Sequence, residues 1–328
     1  MSYIAYQPSG CLTPSPVNTL ASVAVPESMH ASAVPIAPSF EEMITEHDRA
    51  RKVLWQYMRP KDRPSFTPGL LRDMTRTLDC VEAAFVASSG RKLDIAFLVL
   101  ASLIPGIFNL GGDLPHFIRA IEQQDREQLS WYARVCAIGQ HRRAIGMNLP
   151  ICTVALVQGD ALGGGFEAAL AHDVIIAERS ANFGLPEVLF NLFPGMGAYS
   201  FLVRRVEPAR AERIILSGRI WSAEELYDLG IVDRLADDGA GVEAVHDFID
   251  EFERAAPARR ALLRARRIVN PVGLHELTEI SELWVEAALQ LGSSDLRRMR
   301  HLARAQDRRI GGSAAFADEA RQTHCQRS

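Results

Sequence analysis

Two glutamates twenty residues apart are the side chains of this sequence best suited to moving protons. Glu167 closes GDALGGGFE, and Glu187 closes ANFGLPE. Both stand among leucines, alanines, phenylalanines and glycines, where burial disfavours the charged form of a carboxyl group. Two such groups in one apolar pocket push each other's acidities apart, leaving one base and one acid. Glu167 also has a second chemical group at hand. Gly163, Gly164 and Gly165 turn the chain into the helix FEAALAHD. The first amides of a helix lack internal partners and sit at its positive end. The Gly164 amide can therefore hold an oxygen that gains negative charge during a reaction. Glu167 lies three positions further on, facing the same side of the helix.

Neither segment is decisive alone. A glycine-rich strand-to-helix turn also serves tight packing, with Glu167 then a solvated first-turn carboxylate. Most loop glutamates are solvated too. Two further segments add weight. In FLVLASLIPGIFNLGGDLPHF (97–117), an apolar strand runs through Pro105-Gly106 to a second glycine turn, with Gly112 the expected amide donor. Downstream, Phe193 to Tyr199 (FPGMGAY) forms a rigid turn into another helix.

The elements that must position these groups follow from periodicity. VALVQG (154–159) is a β-branched apolar run and reads as a buried strand, with further strands at VLWQYM, LDIAFLVLA, DVIIAE and IVDRLAD. Helices are expected from Ser39 to about Arg51, from Pro68 to Ala87, and from PHFIRAIEQQD on through LSWYARVCAIGQHRRAIGM. AERIILSG and WSAEELYDLG are helical as well, and from about Pro257 the chain is nearly all helix. Strands alternating with helices imply an α/β fold with a parallel sheet. The expected parts are a tail over 1–38, a core over 39–256 and a helical region over 257–328.

These runs resemble the crotonase (enoyl-CoA hydratase/isomerase) superfamily over roughly residues 50–310. FNLGGDL, ALVQG with ALGGGFEAAL, GLPEVLF with LFPGMGAYSF, WVEAALQLG and RAQDRR are most similar to the diffusible signal factor synthases, which make cis-2-unsaturated fatty acid signals. The resemblance implies a spiral of ββα units followed by C-terminal helices. It implies Gly112 and Gly164 as the oxyanion hole and Glu167 and Glu187 as the acid/base pair. It further implies that Gly111, Leu114, Gly163, Phe166, Met196, Gly197, Trp284 and Leu302 contact substrate, the last two covering an acyl pocket from the C-terminal helices. Ordinary core packing explains apolar stripes such as that of Trp284 equally well. Arg59-Pro60 with Pro64 to Pro68 resembles the superfamily's first loop, where a pantetheine carrier passes, although Glu41 to Pro64 departs from the synthase pattern. Further implications are a homo-oligomer (trimer or paired trimers) and a sensor-kinase partner, as some members of the subgroup have.

Three functions are compatible with these residues. The first is dehydration of a 3-hydroxyacyl thioester on acyl carrier protein, followed by hydrolysis to a free cis-2-enoic acid. The second is hydration or isomerisation of CoA thioesters, and the third is partner binding with catalysis secondary. Phe166 beside Glu167 favours the first over the second, since many hydratases carry a smaller residue there. The arginines 297, 298, 300, 304, 308 and 309 form either a solvated face or a dock for an acidic carrier protein.

Composition sets the outer bounds. The chain has 328 residues, 48% of them hydrophobic, and a net charge of −4, which excludes a generally basic nucleic-acid binder. Its five cysteines (11, 80, 136, 152, 325) show no paired spacing, pointing to reduced thiols and a cytoplasmic protein. The nine histidines make no metal motif, so neither metal nor cofactor is expected. Residues 1–38 hold one charge, Glu27, and six prolines, and are expected to be a flexible tail. The longest apolar stretch, 95–108, is interrupted by Ser102 and Pro105 and is too short for a bilayer.

Overall fold

The computed structural model describes residues 38–88 and 94–307, all within one compact unit that begins at Pro35. Nearly all of the expected tail, together with Cys11, Cys325, Arg308 and Arg309, lies outside the described residues.

The described residues hold ten strands: β1 (Met43–Asp48), β2 (Val53–Met58), β3 (Phe97–Ser102), β4 (Gly106–Asn109), β5 (Cys152–Val157), β6 (Gly159–Leu162), β7 (Val174–Glu178), β8 (Asn182–Gly184), β9 (Ile220–Ser222) and β10 (Arg234–Ala236). They build two sheets, ordered β1-β2-β3-β5-β7-β10 and β4-β6-β8-β9. Pairing is parallel except for β1 with β2 and β8 with β9. The middle of the chain repeats one device three times. A long strand of the first sheet (β3, β5 or β7) leads at once into a short strand of the second (β4, β6 or β8). This is the spiral that the resemblance implied. β5 is buried at all six positions, as its unbroken apolar run requires in a parallel sheet covered on both faces.

The helices are α1 (Pro68–Ala87), α2 (Leu114–Glu122), α3 (Arg126–Ala144), α4 (Gly164–Leu170), α5 (Ala198–Leu202), α6 (Pro208–Ser217), α7 (Ala223–Asp228), α8 (Gly241–Arg254), α9 (Ala256–Val269) and α10 (Leu274–Leu289), and residues 293–307 are helical. α1 has the expected bounds. The Thr67 hydroxyl accepts the Leu70 amide, Pro68 occupies the first turn, and Leu70, Leu71, Met74, Leu78 and Val81 form the buried stripe. None of the described helices is long and apolar enough to cross a membrane.

Two expectations fail. Residues 39–51 hold a strand instead of a helix: β1 pairs antiparallel with β2, from Met43 opposite Met58 to Asp48 opposite Val53. The segment's three glutamates, methionine and alanine favour a helix, but pairing with β2 and burial of Met43 in the core override it. The hairpin closes through the Asp48 carboxylate, which accepts the Arg51 amide at 3.0 Å. The long helix expected after Pro115 is two helices. Gln124 adopts a left-handed backbone (φ 52°), and the Asp125 carboxylate accepts the Gln128 amide at 2.9 Å to start α3 afresh.

α4 is buried along its whole length, which explains its small side chains. Phe166 packs edge-on against Phe183, ring centroids 5.1 Å apart. α10 lies along α3 and brings Trp284 within 5.0 Å of the Phe117 ring. α9 is tied down by Arg266 and Arg267, which reach the buried Asp173 at 2.9 and 2.7 Å.

A Cβ at Gly165 would fall 2.0 Å from the Asn109 carbonyl oxygen. In an open helix Gly→Ala gains about 1 kcal/mol. Here Gly165→Ala is expected to lower stability by about 1–3 kcal/mol, as overpacking does, and chemical denaturation of both proteins measures it.

Candidate active site

Two glycine turns meet at the start of α4. In the turn after β4, the Asn109 side-chain oxygen accepts the Gly111 amide at 2.8 Å. The Leu110 amide donates to the Pro64 carbonyl at 2.7 Å, and the Gly111 carbonyl accepts the Phe66 amide at 2.8 Å. Gly111 has φ +91°, and a Cβ there would sit 2.7 Å from the Leu162 carbonyl oxygen and 3.0 Å from the Gly164 nitrogen. Only glycine lets the turns approach this closely. On the other side, the Gly112 nitrogen lies 3.6 Å from where a Gly164 Cβ would be. The Gly112 and Gly164 amides are therefore neighbours, and neither donates a hydrogen bond among the described residues. Two unpaired amides placed side by side can receive one oxygen.

Glu167 lies one turn into α4 and is 1% exposed. Its Oε1 accepts the amides of Met196 and Ala198 at 2.8 and 3.0 Å. Those amides come from the Pro-Gly-Met-Gly turn, whose Gly197 has φ +123°. Glu187 is supplied by the short helical turn Pro186–Phe190. Its residue is only half-buried, but its Oε2 is sealed from solvent and has no partner among the described residues. Its Oε1 occupies the space a Cβ at Gly163 would need, 2.5 Å away. Gly163 thus admits the second carboxylate to the first turn of the helix that carries the other.

The two acids differ electrostatically. Burial raises Glu167 to about 7, and the amides of Ala198 and Met196 limit the rise. Burial raises Glu187 to about 8, and the charge of Glu167 adds to it. Two amides lower Glu167, whereas on Glu187 the charge of Glu167 outweighs the lowering by its own backbone amide, so Glu167 is the first to ionise.

Both glutamates, Gly112 and Gly164 line one cavity of about 790 Å³, counting its open mouth. Its walls are largely apolar, with Phe66, Met74, Phe117 and Phe190 among them. Of the other residues singled out in the sequence, Leu114, Met196 and Trp284 also line it, while Gly111 and Gly163 shape the turns behind the amides. Three belong elsewhere. Phe166 points into the core against Phe183, because its side of α4 faces the second sheet. Gly197 stands behind the Glu167 amides, its Cα against the Phe201 ring. Leu302 sits on a separate recess with Leu189, Arg297 and Arg298. Its helix is instead fastened over the first glycine turn, where Gln306 donates to the Leu110 carbonyl at 2.8 Å and Arg63 meets Asp307 at 2.8 Å.

One wall was overlooked in the sequence. α3 contributes Tyr132, Cys136, Gly139, Gln140 and Arg143, spaced as one helical stripe. Polar groups within that buried stripe were the available signal, masked by the many charged residues on the helix's other faces.

The enoyl-CoA hydratase/isomerase family model matches residues 55–270. The mitochondrial methylglutaconyl-CoA hydratase of Rattus norvegicus is 28% identical over 225 residues, 68% of this chain and 66% of that protein, so the chain spans just under two thirds of that relative. The crystal structure of an enoyl-CoA hydratase from Bacillus halodurans superposes with a TM-score of 0.66 at 21% identity, covering 80% of this chain and 100% of that one. Pseudomonas aeruginosa DspI superposes with a TM-score of 0.56 at 22% identity, covering 78% and 98%. These structural likenesses share the fold: α/β, with two sheets and C-terminal helices.

Removing the Glu167 charge takes away the Coulombic push on its neighbour. In Glu167→Gln, Glu187 is expected to titrate below its value of about 8, as followed by carboxyl NMR or difference infrared titration. An unchanged titration would show that the two acids do not interact.

Proposed function

The chain belongs to the enoyl-CoA hydratase/isomerase family, and from that premise we propose that it dehydrates a 3-hydroxyacyl thioester to a cis-2-enoyl chain and then hydrolyses the thioester. The product would be a free unsaturated fatty acid of the diffusible signal factor type, with acyl carrier protein as the carrier. The observation that carries the reading is the unequal pair of buried carboxyls beside two unused amides. The synthase-like runs FNLGGDL, ALGGGFEAAL and LFPGMGAYSF, all at this site, support the finer assignment.

The chemistry follows from the acidities. The thioester oxygen sits between the Gly112 and Gly164 amides, which stabilise the enolate; losing one such donor costs about 3 kcal/mol. Glu167, ionised and held by Met196 and Ala198, takes the proton from Cα. Glu187, still protonated, donates to the β-hydroxyl, which leaves as water. The pair is now reversed, with Glu167 protonated and Glu187 ionised. That state suits hydrolysis. Glu187 draws a proton from water as the oxygen attacks the carbonyl, the same two amides hold the tetrahedral oxyanion, and Glu167 protonates the departing thiol. Both acids return to their starting forms, so one site performs two steps without an external proton carrier. The free Oε2 of Glu187 fits the donor role because no protein group competes for its proton.

The family and its hydratase relatives supply the second reading, reversible hydration or isomerisation of CoA thioesters. Incubating pure protein with 3-hydroxyacyl carrier protein, 3-hydroxyacyl-CoA and enoyl-CoA, followed by mass spectrometry, separates the two. Free cis-2-enoic acid is expected; reversible hydration without acid release would establish the second reading, and no turnover would exclude both. Glu167→Gln and Glu187→Gln are each expected to lower kcat for dehydration by about 10²–10⁴-fold, with thermal unfolding little changed. The pH profile of kcat/KM should be a bell. Activity rises as Glu167 ionises, near pH about 7, and falls as Glu187 loses its proton, near about 8, both limbs being properties of the pair. A profile flat from pH 6 to 9 would remove the glutamates from the rate-limiting step.

A further inference from the structure

The overlooked wall of the cavity has a direction. Tyr132, Cys136, Gly139, Gln140 and Arg143 all line it, and from Tyr132 to Arg143 the stripe climbs three turns, about 16 Å at 1.5 Å per residue. Tyr132 stands at the glycine-turn end: its hydroxyl donates to the Phe66 carbonyl, and the Phe66 amide donates to the Gly111 carbonyl. Arg143 stands at the other end, a medium-length acyl chain away.

Arg143 is 2% exposed and Gln140 7%. Arg142, next in sequence, is paired with Asp79 and Glu82 at 2.8 and 3.0 Å. Arg143 forms no ion pair among the described residues. Its guanidinium reaches only the Gly139 carbonyl and the Gln56 side-chain oxygen, both at 3.5 Å, the outer limit of a hydrogen bond. Its Nε donates to nothing, and the Gln140 side chain makes no hydrogen bond among the described residues. Burial brings the guanidinium down to about 9, helped by the charge of Arg142, so it is still a cation at neutral pH. Leu71, Met74 and Leu78 complete this part of the wall. A chain ending in a methyl group would leave this buried cation without a counter-charge in an apolar chamber.

We infer that this distal end is an anion-accepting subsite, and that the acyl chain the protein takes ends in a carboxylate held by Arg143 with Gln140 as a second donor. A guanidinium matches a carboxylate with two parallel hydrogen bonds, which fixes the length of the chain as well as its charge. The thioester reading proposed above decides which end of the cavity reacts, so the inference rests on it.

The test uses the full chain and two 3-hydroxyacyl thioesters of equal length on one carrier, one ending in methyl and one in carboxylate. Wild type is expected to prefer the carboxylate at least about 100-fold in kcat/KM, since a site built to hydrogen-bond a group rejects the analogue lacking it. Arg143→Met should lose most of its kcat/KM on the carboxylate substrate and with it that preference, and Arg143→Lys should restore part of it. A wild-type preference for the methyl chain, or equal losses on both substrates in Arg143→Met, would overturn the subsite. Unreactive CoA thioethers with the same two chain ends provide the comparison by calorimetry. If neither thioester reacts, the dehydration reading fails, and the subsite stands or falls on whether the carboxylate thioether binds more tightly and loses that advantage in Arg143→Met.

Discussion

Two carboxyl groups enclosed in one apolar cavity cannot both carry charge cheaply, and this constraint organises the site. Burial raises both acids. What separates them is the two backbone amides of Met196 and Ala198, which lower Glu167, and the charge of Glu167, which raises Glu187 further. These differences decide which acid ionises first. The turn that supplies those amides also explains the run FPGMGAY. Its proline and glycines bend the backbone so that two nearby nitrogens face one oxygen.

The second organising feature is the contact between two main chains. Gly111 sits against Leu162 and Gly164, Gly163 against Glu187, and Gly165 against Asn109. Side chains at these positions would push the first turn away from the helix, separating the Gly112 and Gly164 amides. The second sheet has strands only three or four residues long. Its role is to carry each long strand of the first sheet into a turn at a fixed place. β4 and β6 pair directly, so the two turns that follow them lie side by side.

α3 and α10 enclose the space in front of those amides. The stripe on α3 runs from Tyr132, tied to the glycine turn through Phe66, to Arg143, which forms no ion pair among the described residues. α10 closes it through Trp284, edge-on to Phe117, while the helix beyond α10 is pinned to the first glycine turn through Gln306. The cavity and the helices that close it thus belong to the same packed unit as the acids.

The strongest local patterns were legible in the chain itself. β5 is a continuous apolar run, α1 has its cap, proline and stripe, and GGGFE states a helix N-terminus with an acid one turn in. Those features depend on neighbours a few residues away, so sequence alone determined them, along with the pairing of Glu167 and Glu187 with two glycine turns. Tertiary structure decided the rest. It turned residues 43–48 into a strand because β2 was there to pair with, and it broke the helix at Gln124, so that α2 and α3 pack against each other through Phe117 and Tyr132. It sent Phe166 into the core and Leu302 to another recess, since a helix face acquires its partner only when the other elements arrive. The unequal protonation of the two acids and the unpaired cation at Arg143 arise the same way, from groups brought together across long stretches of chain, whose distances no local spacing encodes.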